Sequence, residues 1–175
     1  VLWSMSSVLV QRESAEAIAR GALVFASSAG ILALVLRLRA DGVASAAAGL
    51  GLGLATGVAA MLSASIGYFM SGIAVAAASG AVLLAQMAIA RSLPAGFAGA
   101  LSIGLAAALF ASASLMLAQL PWYALPLMAA VPGALLLRSG AATGSVRRRA
   151  LILGCVGVAA AVAPMLAAWF ATLSQ

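Results

Sequence analysis

Six long apolar segments without a single charged residue constrain the fold of this chain more than any other feature. They cover residues 21–36, 43–62, 71–90, 97–118, 122–137 and 150–172. A helix needs roughly 20 apolar residues to cross a hydrocarbon core of about 30 Å, and most of these segments are long enough. A helix also satisfies its own backbone hydrogen bonds in lipid, whereas a β-barrel strand would show alternating polarity, which these runs lack.

The overall composition supports lipid as the surrounding medium. The chain is 66% hydrophobic and only 7% charged, whereas a soluble domain carries about 25% charged residues. We therefore predict an all-α fold: a polytopic transmembrane helical bundle with about six spanning helices, within a range of five to seven. Residues 1–175 are expected to form a single domain.

The N-terminal part of the chain fits this scheme least well. The first apolar segment is short, but it can extend past Arg20, whose long aliphatic stem lets its head reach the interface. We therefore predict a spanning helix over Ala15–Leu36. Residues 1–14 begin with ten mostly apolar residues, too few to cross, and we interpret them as an interfacial or truncated helix segment. They lack the basic start and the cleavage pattern of a signal peptide.

The arginines predict the orientation of the bundle. Seven of the nine fall in linkers that alternate to one side: Arg37, Arg39, Arg91, Arg138, Arg147, Arg148 and Arg149. The positive-inside rule places that side in the cytoplasm. The Ala-rich, Lys-free composition favours a bacterial inner (plasma) membrane as the location of this multi-pass protein. Topology then explains the net charge of +6, and we expect no nucleic-acid partner.

The sequence GLGLGLATG, residues 49–57, is the most unusual local pattern. It has neither the spacing nor the following acid of a dinucleotide-binding fingerprint, and a P-loop needs a lysine, which this chain lacks. It resembles the glycine-rich first helix of ATP synthase ring subunits. That family also needs a carboxylate within the membrane in its second helix, and the apolar segments that follow contain none.

Helix packing is the remaining interpretation of the glycines. Gly49, Gly53 and Gly57 are spaced by four and share one helix face, and small residues at this spacing let two helix backbones approach closely in lipid. Gly51 lies off this face and is not explained by it. Ala100, Gly104 and Ala108 repeat the spacing in the fourth segment.

Other candidate residues have simpler roles. Trp122 and Tyr123 are typical of an interfacial anchor at the headgroup level. The Arg147, Arg148 and Arg149 cluster fixes topology, with anionic lipid headgroups as an alternative ligand. Inside or near the bilayer, the weak candidates for contact with a polar solute are Gln86, Gln119 and Tyr68. Cys155 is expected to be a small apolar filler.

The missing residue types limit the chemistry. The chain has no His, Lys or Asn, and its apolar segments hold no carboxylate. Histidine-dependent nucleophilic catalysis, histidine-held metals or haem and a lysine Schiff base are therefore excluded. We expect no enzymatic activity, no catalytic residues, no cofactor and no metal site.

These observations leave three functional hypotheses. The first is a non-catalytic accessory or structural subunit of a membrane protein complex, held by small-residue helix packing. The alternative is a small permease or channel for a neutral or weakly polar solute. A weaker alternative is a membrane-embedded sensor or lipid-binding protein. The expected partners are the lipid bilayer and other membrane proteins or further copies of this chain.

Overall fold

The fold is helical throughout the residues that the structure, a computed structural model, describes: 14–62, 66–94, 96–117, 123–141 and 144–173. Seven α-helices occupy these ranges: α1 (Ser14–Arg37), α2 (Gly42–Leu62), α3 (Ile66–Ile89), α4 (Gly96–Leu117), α5 (Ala124–Met128), α6 (Ala130–Ser139) and α7 (Val146–Leu173). Within α1, α2, α3, α4 and α7 lie stretches long and apolar enough to cross a membrane. The predicted helical bundle is confirmed. The N-terminal segment, apart from Ser14, lies outside the described residues.

The fifth predicted segment is short and interrupted. It forms two helices, α5 and α6, which meet at Ala129. Pro132 follows within the first turn of α6, where a proline cannot donate a backbone hydrogen bond to the preceding turn. The interruption therefore lies where the proline would disturb a continuous helix.

Helix α2 is the centre of the bundle. Of its spanning residues 83% are buried, against 22% to 33% in the other four candidate spans. More than half of its residues are Ala, Gly or Ser, so much of its surface is thin and its neighbours can surround it. Helices α3 and α7 make the most extensive contacts with it, and α1 packs mainly against α4.

Asp41 fixes the start of α2. The backbone N–H groups of Val43 and Ala44 donate hydrogen bonds to its Oδ1 at 3.1 and 3.2 Å. A carboxylate in this position satisfies backbone donors that have no partner within the helix. One of the three acidic residues in the chain is therefore a helix cap.

Two long-range interactions show which linkers share one end of the bundle. Arg149, in the first turn of α7, donates to Oδ2 of Asp41 at 2.6 Å. Arg147 donates to the backbone carbonyl of Met87, near the C-terminus of α3, at 3.0 Å. The start of α7 thus lies beside the start of α2 and the end of α3, at the end of the bundle predicted to carry seven arginines.

Candidate functional site

The predicted glycine face lies directly against α3. A Cβ atom added to Gly53 would lie 2.5 Å from the backbone nitrogen of Ala76 and 2.8 Å from the carbonyl oxygen of Gly72. From the other side, a Cβ on Gly72 would lie 2.5 Å from the backbone nitrogen of Gly57. These distances are shorter than any ordinary contact of a methyl group, so only hydrogen fits at Gly53 and Gly72.

The two flanking glycines of this face, Gly49 and Gly57, differ in how much space surrounds them. A Cβ on Gly49 would collide with the side chain of Ser79, whereas one on Gly57 would come no closer than 3.3 Å to Ile73. All three glycines nevertheless face the same neighbouring helix of the same chain. This face is therefore already filled and is not free to hold another protein.

Gly51, which the spacing argument leaves unexplained, faces a different neighbour. A Cβ there would lie 2.6 Å from the carbonyl oxygen of Gly157 on α7, and a Cβ on Gly157 would lie 2.7 Å from the carbonyl oxygen of Ala47. Helix α2 therefore has a second close backbone contact, with α7. The sequence could have indicated this contact, because Ala47 and Gly51 form a second row of small residues on α2 and the last segment contains Gly157.

Gly104 and Ala108, two of the three small residues predicted on α4, lie toward α1. Ala100 is fully buried and Ala108 is 5% exposed. A Cβ on Gly104 would lie 2.8 Å from the Cδ1 atom of Leu32, the far end of a flexible side chain. This contact is looser than the backbone contacts of α2. Whether these small residues are needed for packing stays a prediction.

The arginine cluster divides into residues with different partners. Arg149 forms the ion pair with Asp41, and both side chains are about one quarter exposed. Arg147 is exposed and caps a carbonyl of α3 through its Nε. Arg148 is exposed, and its backbone N–H donates a hydrogen bond to the hydroxyl oxygen of Ser145 at 3.4 Å. Two of the three guanidinium groups therefore bind protein atoms, so only Arg148 keeps the position expected of a lipid-facing arginine.

The weak polar candidates are not brought together. Gln86 is fully buried, and its Nε2 donates to the carbonyl oxygen of Gly42 at 3.1 Å. Tyr68 is partly buried near the opposite end of α3, with its ring centroid 6.3 Å from that of Phe110. Gln119 lies outside the described residues. No common solute site joins Gln86 and Tyr68.

The structure describes only one of the two residues that were predicted to form an interfacial anchor. Tyr123 is 40% exposed at the start of α5, and Trp122 lies outside the described residues. Cys155 is exposed on the outer face of α7, so the expectation that it fills space in the core is wrong. In a bilayer this thiol faces the acyl chains.

The cavities between helices in the described part of the chain include the following two. One, of about 310 Å³, is bounded by α2, α3 and α4 and includes the hydroxyls of Ser45 and Ser79 in its lining. The other, of about 350 Å³, lies between α1 and α4 and is lined by apolar side chains apart from Ser28. The Ser28 Oγ atom is buried without a hydrogen-bond partner. In the first cavity the two serine residues, Ser45 and Ser79, are buried as whole residues.

Comparison with protein-family models, curated proteins and solved structures finds no match. The class of the protein therefore rests on its own fold and composition. An all-helical bundle with five helices long and apolar enough to cross a bilayer, in a chain that is 7% charged, defines an α-helical membrane protein.

Proposed function

We propose that this chain is a non-catalytic structural or accessory subunit of a membrane protein complex. The observation that carries this proposal is the outward face of α3. Five alanines are exposed along it at spacings of three and four: Ala74, Ala77, Ala81, Ala85 and Ala88. Such spacing keeps them on one face of the helix, which we call the alanine face.

The alanine face has the shape of a helix-packing surface. Its larger neighbours, Val82 and Leu84, are 46% and 66% exposed and flank the alanines on either side. Lipid tails are as apolar as these side chains, so helices associate in a bilayer through close contact rather than a hydrophobic drive. A shallow row of methyl groups between two ridges allows such close contact.

The outer face of α7 provides a comparison within the same molecule. Its exposed residues are mostly large: Leu151, Ile152, Val158, Val162, Leu166 and Phe170. Large, flexible side chains suit contact with acyl chains, whereas small ones favour contact with another helix. The difference between the two faces supports α3 as the side that meets a partner helix.

This proposal moves the partner-binding surface away from the glycines of α2. Gly49, Gly53 and Gly57 pack against α3 of the same chain. Their substitution should therefore disturb the folding of the subunit itself. The partner is a transmembrane helix with small residues, from another membrane protein or from a second copy of this chain.

The experiment compares the same substitution on two helices. Ala81→Leu lies on the alanine face, and Ala159→Leu lies at an exposed position of α7. Tagged protein is purified in mild detergent, and the co-purifying chains are identified by mass spectrometry, with a second, differently tagged copy to detect self-association. We expect Ala81→Leu to release the partner and Ala159→Leu to retain it.

Two results would contradict the subunit proposal. One is a wild-type protein that purifies as a monomer with no other chain. The other is a partner that stays bound to Ala81→Leu as firmly as to the wild type. Helical content measured by circular dichroism must be equal in both variants, because a loss of folding would also remove the partner.

A small permease is the second candidate function, and one specific observation favours it. Three buried polar side chains, those of Ser45, Ser79 and Gln86, lie in the N-terminal half of α2 and the C-terminal half of α3, where a neutral solute could form hydrogen bonds. The test is solute flux into liposomes that contain the purified chain alone. Release of a trapped neutral solute at the rate of empty liposomes would rule against this alternative.

A further inference from the structure

We infer that the cavity bounded by α2, α3 and α4 binds an uncharged amphiphile that carries a hydroxyl group. The cavity holds about 310 Å³, at the lower end of the range for small-molecule sites. The inference concerns binding by the chain alone rather than transport, and Val82, which flanks the alanine face, also lies on the rim of this cavity. Three properties of the wall specify the ligand.

The first property is a buried polar floor made by two serine hydroxyls, those of Ser45 and Ser79. The Ser45 hydroxyl donates to the carbonyl oxygen of Gly42 at 3.1 Å, so the Ser45 oxygen keeps lone pairs that can accept a hydrogen bond. A hydroxyl group on a ligand can donate a hydrogen bond to this oxygen, which an alkane cannot do.

The second property is the absence of charge from the lining. Every residue of the wall is apolar, glycine or serine. Asp41, next to the lining residue Gly42, is paired with Arg149 at 2.6 Å. An ionised ligand would lose its hydration without gaining an opposite charge, which is strongly unfavourable. The ligand is therefore neutral, and a hydroxyl is the simplest neutral donor.

The third property is the contrast between floor and rim. Ser45 is fully buried and Ser79 is 5% exposed, whereas Val82 and Leu93 on the rim are 46% and 48% exposed. The rim is apolar, with Val82 on α3 and Leu93 in the linker between α3 and α4. An amphiphile can therefore enter from the bilayer with its hydroxyl leading. Its apolar body then remains against Val82 and Ile103.

The experiment uses photolabelling of the purified full-length chain in detergent micelles. The probe is a diazirine derivative of octanol, and the matched control probe is the same diazirine on octane. Labelled peptides are identified by mass spectrometry. We expect the alcohol to label peptides of α2, α3 and α4 about five- to tenfold more than the alkane, the effect of one hydrogen bond of about 1 kcal/mol. Excess octanol should remove this labelling.

Two tryptophan variants test the location. Val82→Trp fills the mouth of the cavity, and Val162→Trp places the same side chain at a similarly exposed position of α7, 43% against 46%. We expect labelling to fall at least fivefold in Val82→Trp and to remain unchanged in Val162→Trp. Ser79→Ala, a change too small to block the cavity, should bring labelling by the alcohol closer to that by the alkane.

Each contrary result would overturn the inference. Equal labelling by alcohol and alkane means that the cavity is an apolar crevice that accepts any acyl chain. Undiminished labelling of Val82→Trp means that the probe binds elsewhere. If both tryptophan variants lose labelling equally, the probe reports general partition into the micelle. None of these outcomes depends on a partner protein, so they leave the subunit proposal to its own test.

Discussion

The contact between Gly53 and α3 predicts that a single added methyl group will destabilise this protein. In Gly53→Ala the new Cβ would lie 2.5 Å from the backbone nitrogen of Ala76 and 2.9 Å from its Cα atom. Both atoms belong to the backbone of a helix, so no side-chain rotation can relieve the overlap. The two helices must separate by about 1 Å to restore normal van der Waals contact.

Two opposing terms set the magnitude. Alanine favours a helix interior over glycine by about 1 kcal/mol. Forcing a methyl group into a closely packed interface costs roughly 1 to 3 kcal/mol, and more where only backbone can move. We therefore expect Gly53→Ala to lower the free energy of unfolding by about 1 to 2 kcal/mol.

Gly80 on α3 is the matched control. A Cβ at this position would meet only Leu50 Cδ1 at 3.6 Å, an ordinary contact. Gly80→Ala should therefore gain the propensity term alone and raise the free energy of unfolding by roughly 0.5 to 1 kcal/mol. Unfolding by sodium dodecyl sulfate in mixed micelles, followed by circular dichroism, measures both. Equal stability of the two variants would refute the argument that backbone contact limits residue size at Gly53.

Three further predictions concern the other close contacts and the charged end. Gly157→Ala should lower the free energy of unfolding by about 1 to 2 kcal/mol, because the gain in helix propensity again offsets part of the overlap. Gly154→Ala should lower it less, because its new methyl group meets only the end of a leucine side chain. The same titration compares the two variants. Asp41→Ala should lower the free energy of unfolding by roughly 0.5 to 2 kcal/mol. Asp41→Asn keeps a good helix cap and should lose only the interaction with Arg149. Added salt would also weaken that interaction. A tag in the Arg138–Arg149 linker should resist an impermeant reagent in intact cells and react after lysis; labelling in intact cells would reverse the proposed orientation.

Periodicity and composition predicted the helices well because lipid imposes a simple rule. The apolar segment that begins at Val43 and ends at Leu62 corresponds almost residue for residue to α2. The extension of the first helix past Arg20 is also confirmed. The interruption at Ala129 was not predicted, because hydropathy does not show where a proline breaks a helix and where, as at Pro164 in α7, the helix continues.

The partners of each residue were harder to predict than its location. The spacing of Gly53 and Gly57 indicates a close contact, but it cannot distinguish a helix of the same chain from one of another protein. The arginines of the cluster looked equivalent in sequence, and only the fold brings Arg149 to Asp41, 108 residues away. Likewise, burial of Gln86 depends on the packing of α3 against the start of α2.

The interrupted pair α5 and α6 has a consequence for the thickness of the surrounding bilayer. At 1.5 Å per residue, Ala124–Ser139 is about 24 Å long, whereas a typical hydrocarbon core measures about 30 Å. Arg147 and Arg149 hold the following helix at the same end as Met87 and Asp41, so this short segment must still connect the two ends. Lipids beside it are expected to compress or tilt to cover it, and such hydrophobic mismatch favours residence in thinner membranes.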